Sequence, residues 1–152
     1  MDVIALYNTH KNMVYHLALS YTKSRQDAED ITQQAFIRLL ENQDKINPGK
    51  EKFWLATVTV NLCKNLLRSA WRSKTEPLSE ELFFEHPEQS EIFWAVMALN
   101  ETERAVVLLY YYEGYSTRET AKILGISNTA VTTRLNRARK HLKGKLEEVQ
   151  YG

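Results

Sequence analysis

The sequence predicts an all-α protein: two small helical domains joined by a linker, the C-terminal one a helix-turn-helix. Three observations predict it. Apolar residues recur at three- and four-residue spacing along most of the chain. Only five Gly and three Pro stand among 152 residues, too few for a turn-rich β-sandwich. An acidic, proline-containing stretch, 73–90, breaks the periodicity and reads as a linker. The domains therefore fall at 1–72 and 91–152. With 26% charged and 43% hydrophobic residues, wholesale disorder is excluded.

The first helix, about 2–22, is marked by Val3, Leu6, Tyr7, Met13, Val14, Leu17, Ala18 and Tyr21. Ser24 caps a second helix, with Asp27 at the capping-box position. Ala28, Ile31, Ala35, Phe36, Leu39 and Leu40 form its buried side. Asn47-Pro48-Gly49 is a turn signal. The third helix, about 51–72, carries Leu55, Val58, Leu62 and Leu66 on one stripe. Beyond the linker, Ile92, Ala95, Val96 and Leu99 make a short helical stripe. Asn100 caps the next helix, with Glu103 three residues on and Val106, Val107, Leu109 and Tyr110 as its apolar face. That helix ends at Gly114. Ser116-x-x-Glu119 is a further capping box, and Gly125-Ile126 turns into a last helix, about 128–143, capped by Ser127 or Asn128.

Composition narrows the function classes. No apolar run exceeds eight residues, the length of Ala105 to Tyr112, against roughly 20 for a membrane helix. The N-terminus shows no signal-peptide pattern. A lone Cys63 fits a reducing cytosol, and the four His show no metal-ligand spacing with it. The net charge of +1 is strongly segregated. Residues 1–44 carry −2, 45–75 carry +6, 76–103 carry −8 and 104–146 carry +7. Two basic segments around an acidic one suit two surfaces for a polyanion, although solvated helix faces also look this way.

Ser116 to Arg139 has the layout of a helix-turn-helix, with Ala121, Ile126, Val131 and Leu135 as anchors. On its last helix Val131, Leu135, Ala138 and Leu142 share one side. The opposite side presents Thr129, Thr133, Asn136, Arg137 and Lys140, flanked by Thr132, Arg139 and Lys143, with no acid. Short polar chains reach base edges while Arg and Lys hold phosphates, so this is a DNA-reading surface. Arg134 lies nearer the apolar side. The third helix has a second basic side: Thr57, Asn61, Lys64, Asn65, Arg68, Trp71 and Arg72. Amides, cations and an aromatic ring together suit single-stranded DNA.

Asp27-Ala28-Glu29-Asp30-Ile31-Thr32-Gln33-Gln34-Ala35-Phe36 resembles the core-binding helix of bacterial RNA polymerase sigma factors of the extracytoplasmic-function (ECF) class, in the sigma-70 family. The resemblance runs back through Leu6-Tyr7 and Val14 to Ala18. It runs forward through Phe53-Trp54-Leu55 and Asn61 to the helix-turn-helix residues Gly114-Tyr115-Ser116, Leu124-Gly125-Ile126-Ser127 and Arg137-Ala138-Arg139, covering about 3–143. It implies a protein that binds the polymerase core, at clamp and flap, and recognises a two-part promoter. It assigns Asp30 and Gln33 to core binding, with Phe36 either beside them on that surface or in the core. It assigns Asn61, Lys64, Asn65, Arg68, Trp71 and Arg72 to recognition and melting of the −10 element. It assigns Thr129, Thr132, Thr133, Asn136, Arg137, Arg139 and Lys140 to the −35 element. It implies no catalysis, cofactor or metal. The six Glu of 76–91 would thread a basic polymerase channel or serve as a soluble spacer. With no sensory domain in the chain, regulation falls to expression or to a separate anti-sigma factor. The chain departs from the family at Asn100, where Pro is usual, and at Thr129-Ala130, where Gly-Thr is frequent; the second departure bears on promoter preference.

The competing class is a helix-turn-helix regulator that never engages polymerase core. The DAED-x-x-Q helix discriminates, because a plain regulator has no use for it. An enzyme is disfavoured: no nucleophile–base pair, metal set or glycine-rich phosphate loop is seen.

Overall fold

The computed structural model describes residues 1–70 and 95–151, with side chains for 1–69 and 95–144. Backbone contacts divide the chain into two units, Met1–Leu78 and Ser79–Gly152. Among the described residues there are helices and no strands, and no helix is long and apolar enough to cross a membrane. The linker, Trp71, Arg72 and Ile92 lie outside the described residues.

In the first unit, α1 (Val3–Thr22), α2 (Arg25–Glu41) and α3 (Glu51–Ala70) pack pairwise. Asp2 caps α1 by accepting from the Ala5 N–H at 3.1 Å. Ser24 caps α2 through the Asp27 N–H at 3.3 Å. Only half of that capping box forms, because the Ser24 N–H donates to the Thr22 hydroxyl at 3.3 Å instead of to Asp27. Each such cap contributes about 1 kcal/mol. Between α2 and α3 the Lys50 N–H returns to the Asn47 carbonyl at 3.0 Å. Pro48 takes the second place of that turn and Gly49, at φ +86°, the third, where a left-handed backbone favours glycine.

The core of this unit is built on small residues. Ala18, Ala28, Ala35, Ala56, Thr59 and Cys63 are all fully enclosed, which lets the three backbones approach closely. Thr59 and Thr32 are tolerated there because each hydroxyl donates to the carbonyl four residues back, at 2.7 Å. The α3 core face is accordingly turned from the expected stripe. Leu55, Ala56, Thr59, Val60, Leu62 and Cys63 are buried, while Val58 and Leu66 are only half-buried. Leu40, expected in the core, is 51% exposed, because Leu39 already takes the buried position of that turn.

In the second unit, residues 95–97 are helical and lead to α4 (Glu101–Val107). Asn100 caps α4 through the Glu103 N–H at 3.1 Å. The helix then continues as a π-helical turn, Leu108–Tyr112, closed by the Glu113 N–H on the Leu108 carbonyl at 3.0 Å. Every residue from Glu103 to Leu109 is buried, so this element is central to the unit and has no solvent face over that stretch. α5 (Thr117–Leu124) opens with the complete Ser116–Glu119 capping box and closes at Gly125, φ +70°, whose N–H bonds the Ala121 carbonyl. Ser127 caps α6 (Asn128–Tyr151) through the Ala130 N–H at 3.0 Å. α6 is longer than the sequence suggests, running eight residues past 143.

α6 lays Val131, Leu135 and Ala138 into the unit, each at most 2% exposed. Ala138 joins a cluster with Val96, Leu99, Val107 and Leu108, and Leu142 packs against it. A fully buried Val or Leu contributes roughly 1.5–3 kcal/mol, so this stripe holds α6 in one rotational setting.

Burial pushes the Cys63 thiol up to about 12 from an ordinary 9.0. The folded protein should therefore resist maleimide at pH 7.5, with rapid labelling only in denaturant, read by mass spectrometry. The raised value favours the protonated thiol in the folded state. Unfolding then releases a proton between about pH 9 and about 12, and the thiol's contribution to stability falls across that window.

Candidate functional site

Three surfaces carry the residues singled out by sequence. The first is on α2, where Asp30 and Gln33 are exposed. Continuing the same three–four spacing along the helix gives Ile37 at 52% exposure and Leu40 at 51%. Asp30, Gln33, Ile37 and Leu40 thus form one outward stripe, acidic and amide at its start and aliphatic at its end. Phe36 is not on it. Its ring is 6% exposed and meets Tyr7 edge-on, centroids 5.0 Å apart. Tyr7 and Ile4 of α1 are themselves exposed, and the Lys11 ammonium lies 5.6 Å from the Tyr7 ring centre. Leu40 was missed as a surface residue because an aliphatic residue next to core positions reads as core, and Ile37 was assigned to neither side.

The second surface is on α3. Asn61, Asn65 and Arg68 are exposed and Lys64 is half-buried. Arg68 donates to the Asn65 side-chain carbonyl at 3.0 Å, tying two of the candidates together. A groove of about 320 Å³ runs between α2 and α3, with Asp27, Asp30, Gln34, Arg38, Asn65 and Ser69 on its walls. It joins Asp30 and Asn65, which sequence reasoning placed on separate surfaces. Sequence spacing gives faces of single helices and is silent on which faces meet.

The third surface is the outer side of α6. Thr129, Thr132, Thr133, Asn136, Arg137, Arg139 and Lys140 are all exposed, opposite the buried Val131–Leu135–Ala138 stripe. Arg134 is half-buried, between the two sides. The helix start, which carries no acid in its first turn, is held by Ser127 and flanked by the Thr132 hydroxyl donating to the Asn128 carbonyl at 3.1 Å.

Two α4-to-α6 contacts were not foreseen. Tyr111, in the π-helical turn, accepts from Arg139 Nε, and the Arg139 guanidinium carbon lies 5.7 Å from the Tyr111 ring centre. Tyr110 stands edge-on to Tyr111 at 5.0 Å. The Tyr111 hydroxyl, with Tyr110 adding to it, raises the Arg139 pKa and so favours its charged form. Arg139 also donates from Nη1 to Asn136 Oδ1 at 3.1 Å. The other contact is His141 Nδ1 to Glu103 Oε2, 2.9 Å. Glu103 is 1% exposed, and this carboxylate turns to α6 instead of closing a capping box with Asn100. Beside it Arg104, also 1% exposed, donates to the Leu99 carbonyl at 2.7 Å. Burial lowers the Arg104 pKa, opposed by Glu101. Among the described residues no group of three or more His, Cys, Asp or Glu could hold a metal ion.

The sequence matches the Sigma-70 region 2 model over residues 6–73 and the Sigma-70 region 4 model over residues 87–142. It is 31% identical to the ECF RNA polymerase sigma factor SigE of Mycolicibacterium smegmatis, over 91% of this chain and 59% of that protein. It is 30% identical to the ECF RNA polymerase sigma factor SigL of Mycobacterium tuberculosis, over 95% of this chain and 89% of that protein. The chain thus spans well under two thirds of the first relative and most of the second. Among solved structures, the sigma factor RpoE from Bartonella quintana, crystallised with the anti-sigma factor NepR, shares the fold. Its TM-score is 0.75 at 20% identity, over 96% of this chain and 97% of that one. With both sigma-70 regions present in order and such identity along nearly the whole of SigL, the chain belongs to the ECF sigma factors of the sigma-70 family.

Proposed function

We propose that this chain attaches to bacterial RNA polymerase core and directs promoter-specific transcription initiation. In this reading it works in the cytoplasm as a non-catalytic initiation factor. Residues 1–72 bind core and open the −10 element, 73–90 connect, and 91–152 read the −35 element. The observation that carries the reading is the setting of α6: its apolar stripe is locked inward, and an acid-free face of threonines, Asn136 and cations stands outward. A regulator that never meets polymerase would account for that face but not for region 2 or its outward α2 stripe. A separate anti-sigma factor, of the kind bound to the Bartonella quintana protein, is a further proposed partner.

Core binding is assigned to Asp30 and Gln33, extended along the helix to Ile37 and Leu40. Phe36, which the sequence leaves between that surface and the core, acts from beneath by bracing α2 on Tyr7. Asp30→Arg should cut core affinity at least about tenfold with an unchanged circular dichroism spectrum, since an exposed residue carries little of the fold. Native-like affinity in a pull-down with purified core would refute the assignment.

Opening of the −10 element is assigned to Asn61, Lys64, Asn65 and Arg68, with Trp71 and Arg72 following on from them. Each lost phosphate contact lowers the salt slope of binding by about 0.7–0.9 units. In Lys64→Ala plus Arg68→Ala, permanganate footprints should show reduced strand opening at every salt concentration. Wild-type opening across the series would make this face a solvated one.

Reading of the −35 element is assigned to the α6 face, Thr129, Thr132, Thr133, Asn136 and Arg137 toward bases, Arg139 and Lys140 toward phosphates. A bidentate Arg–guanine pair gives roughly 1–3 kcal/mol of discrimination. Arg137→Ala should change preference at one or two positions, whereas Lys140→Ala should weaken all promoters alike. DNA selected from a randomised −35 pool checks this, and an unchanged motif for Arg137→Ala removes that residue from base reading.

A further inference from the structure

We propose that Tyr111 is a positioning residue for base reading, acting through Arg139 to fix which end of the Asn136 amide meets DNA. The inference rests on the reading of α6 as the promoter-reading helix. Tyr111 lies 25 residues before Asn136, on a different helix.

Three contacts link them. The Tyr111 hydroxyl accepts from Arg139 Nε, and its ring lies against the same guanidinium. Two kinds of contact on one planar group restrict its rotation as well as its position. The oriented guanidinium then donates through Nη1 to Asn136 Oδ1. Guanidinium has five N–H donors and no acceptor, so the amide can only turn its oxygen toward Arg139. Its NH2 end is thereby left pointing away, toward whatever faces α6. Three Arg139 N–H groups remain for a phosphate.

The consequence is a bias in what Asn136 can recognise. A free Asn offers donor and acceptor equally and pairs bidentately with adenine. Here one oxygen lone pair is already engaged and the donor end is presented. The position read by Asn136 should therefore favour bases with major-groove acceptors, guanine and thymine included, over cytosine, whose edge there offers a donor. Arg139 is too long and exposed to hold this geometry unaided. The side chain that holds it comes from the π-helical turn.

Selection from a randomised −35 pool by the full-length chain tests this, using wild type, Asn136→Ala, Tyr111→Phe and the double variant. Asn136→Ala locates the position Asn136 reads. Tyr111→Phe keeps the ring and removes only the hydroxyl of a half-exposed residue, so the fold should be intact by circular dichroism. At the position located, its base preference should relax by about two- to tenfold, the range of one lost hydrogen bond. The salt slope should stay that of wild type, because no phosphate contact is removed. The double variant should relax no further than Asn136→Ala, since the tyrosine acts through the amide. An unchanged preference in Tyr111→Phe, where Asn136→Ala does alter one, overturns the relay and leaves base reading by Asn136 standing. Equal weakening on all sequences overturns it too, by making Tyr111 a general support. No altered position in Asn136→Ala overturns base reading by that residue and the relay with it.

Discussion

The burial of Val131, Leu135 and Ala138 decides the second unit's chemistry. A helix presents one side only by hiding the other. These three residues, set into the cluster around Val96, Leu99, Val107 and Leu108, leave α6 one rotational setting. A turn of 100° would bury Thr132, Asn136 and Arg139 in one direction or Ala130, Arg134 and Arg137 in the other, and would expose an aliphatic residue. The local devices serve that setting. Gly125 ends α5 in a left-handed residue, and Ser127 caps α6 two residues later. The capping box on α5 fixes the other end of the hairpin. Polarity, caps and core therefore agree on a single geometry, which is the condition for a sequence to specify one structure.

Much of this was legible beforehand because it is local. Ser24, Asn100, Ser116 and Ser127 announce helix starts by side-chain chemistry alone. Pro48-Gly49 and Gly125 announce turns through backbone freedom. The α6 faces follow from a long helix with a clean apolar period. What escaped depends on packing. Thr59 and Cys63 look like interruptions of the α3 stripe, yet they are core, because close backbones require small side chains. Leu40 looks like core, yet it stands in solvent. Glu103 reads as half of a capping box, and only the approach of His141 redirects it. The π-helical turn leaves no mark in a single sequence, since a π and an α turn use the same kinds of residue and differ in which carbonyl each N–H reaches.

The second unit also contains a cost that the first avoids. Glu103 and Arg104 are each 1% exposed, whereas the other buried polar residues among the described residues carry hydroxyls. Removing a charged group from water is unfavourable unless it is well partnered. Arg104 donates to the Leu99 carbonyl and Glu103 Oε2 meets His141 Nδ1, while Glu103 Oε1 has no hydrogen-bond partner among the described residues. Both contacts reach away from α4, one to the segment preceding it and one to α6. An aliphatic pair at these positions would stabilise burial without distinguishing one arrangement from another. The Glu103–His141 contact penalises any arrangement in which α6 slides or turns, and so reinforces what the apolar stripe begins.

The π-helical turn at Leu108–Tyr112 has an evolutionary meaning as well as a geometric one. Such a turn is what an α-helix becomes when it absorbs one inserted residue without breaking. At the helix end the Tyr115 N–H reaches the Leu109 carbonyl six positions back, one more than the usual helix-ending motif spans. A relative with a plain α-helical end here would carry one residue fewer between the α4 core and the Ser116 cap. In its alignment with this chain the gap would fall among three consecutive tyrosines, where residue identity gives no guide to its placement. Homologous positions on the two sides of that gap would differ by about a quarter turn around the helix. The presence or absence of an aromatic over α6 could thus change between lineages by a single-codon insertion, with the core on either side left untouched.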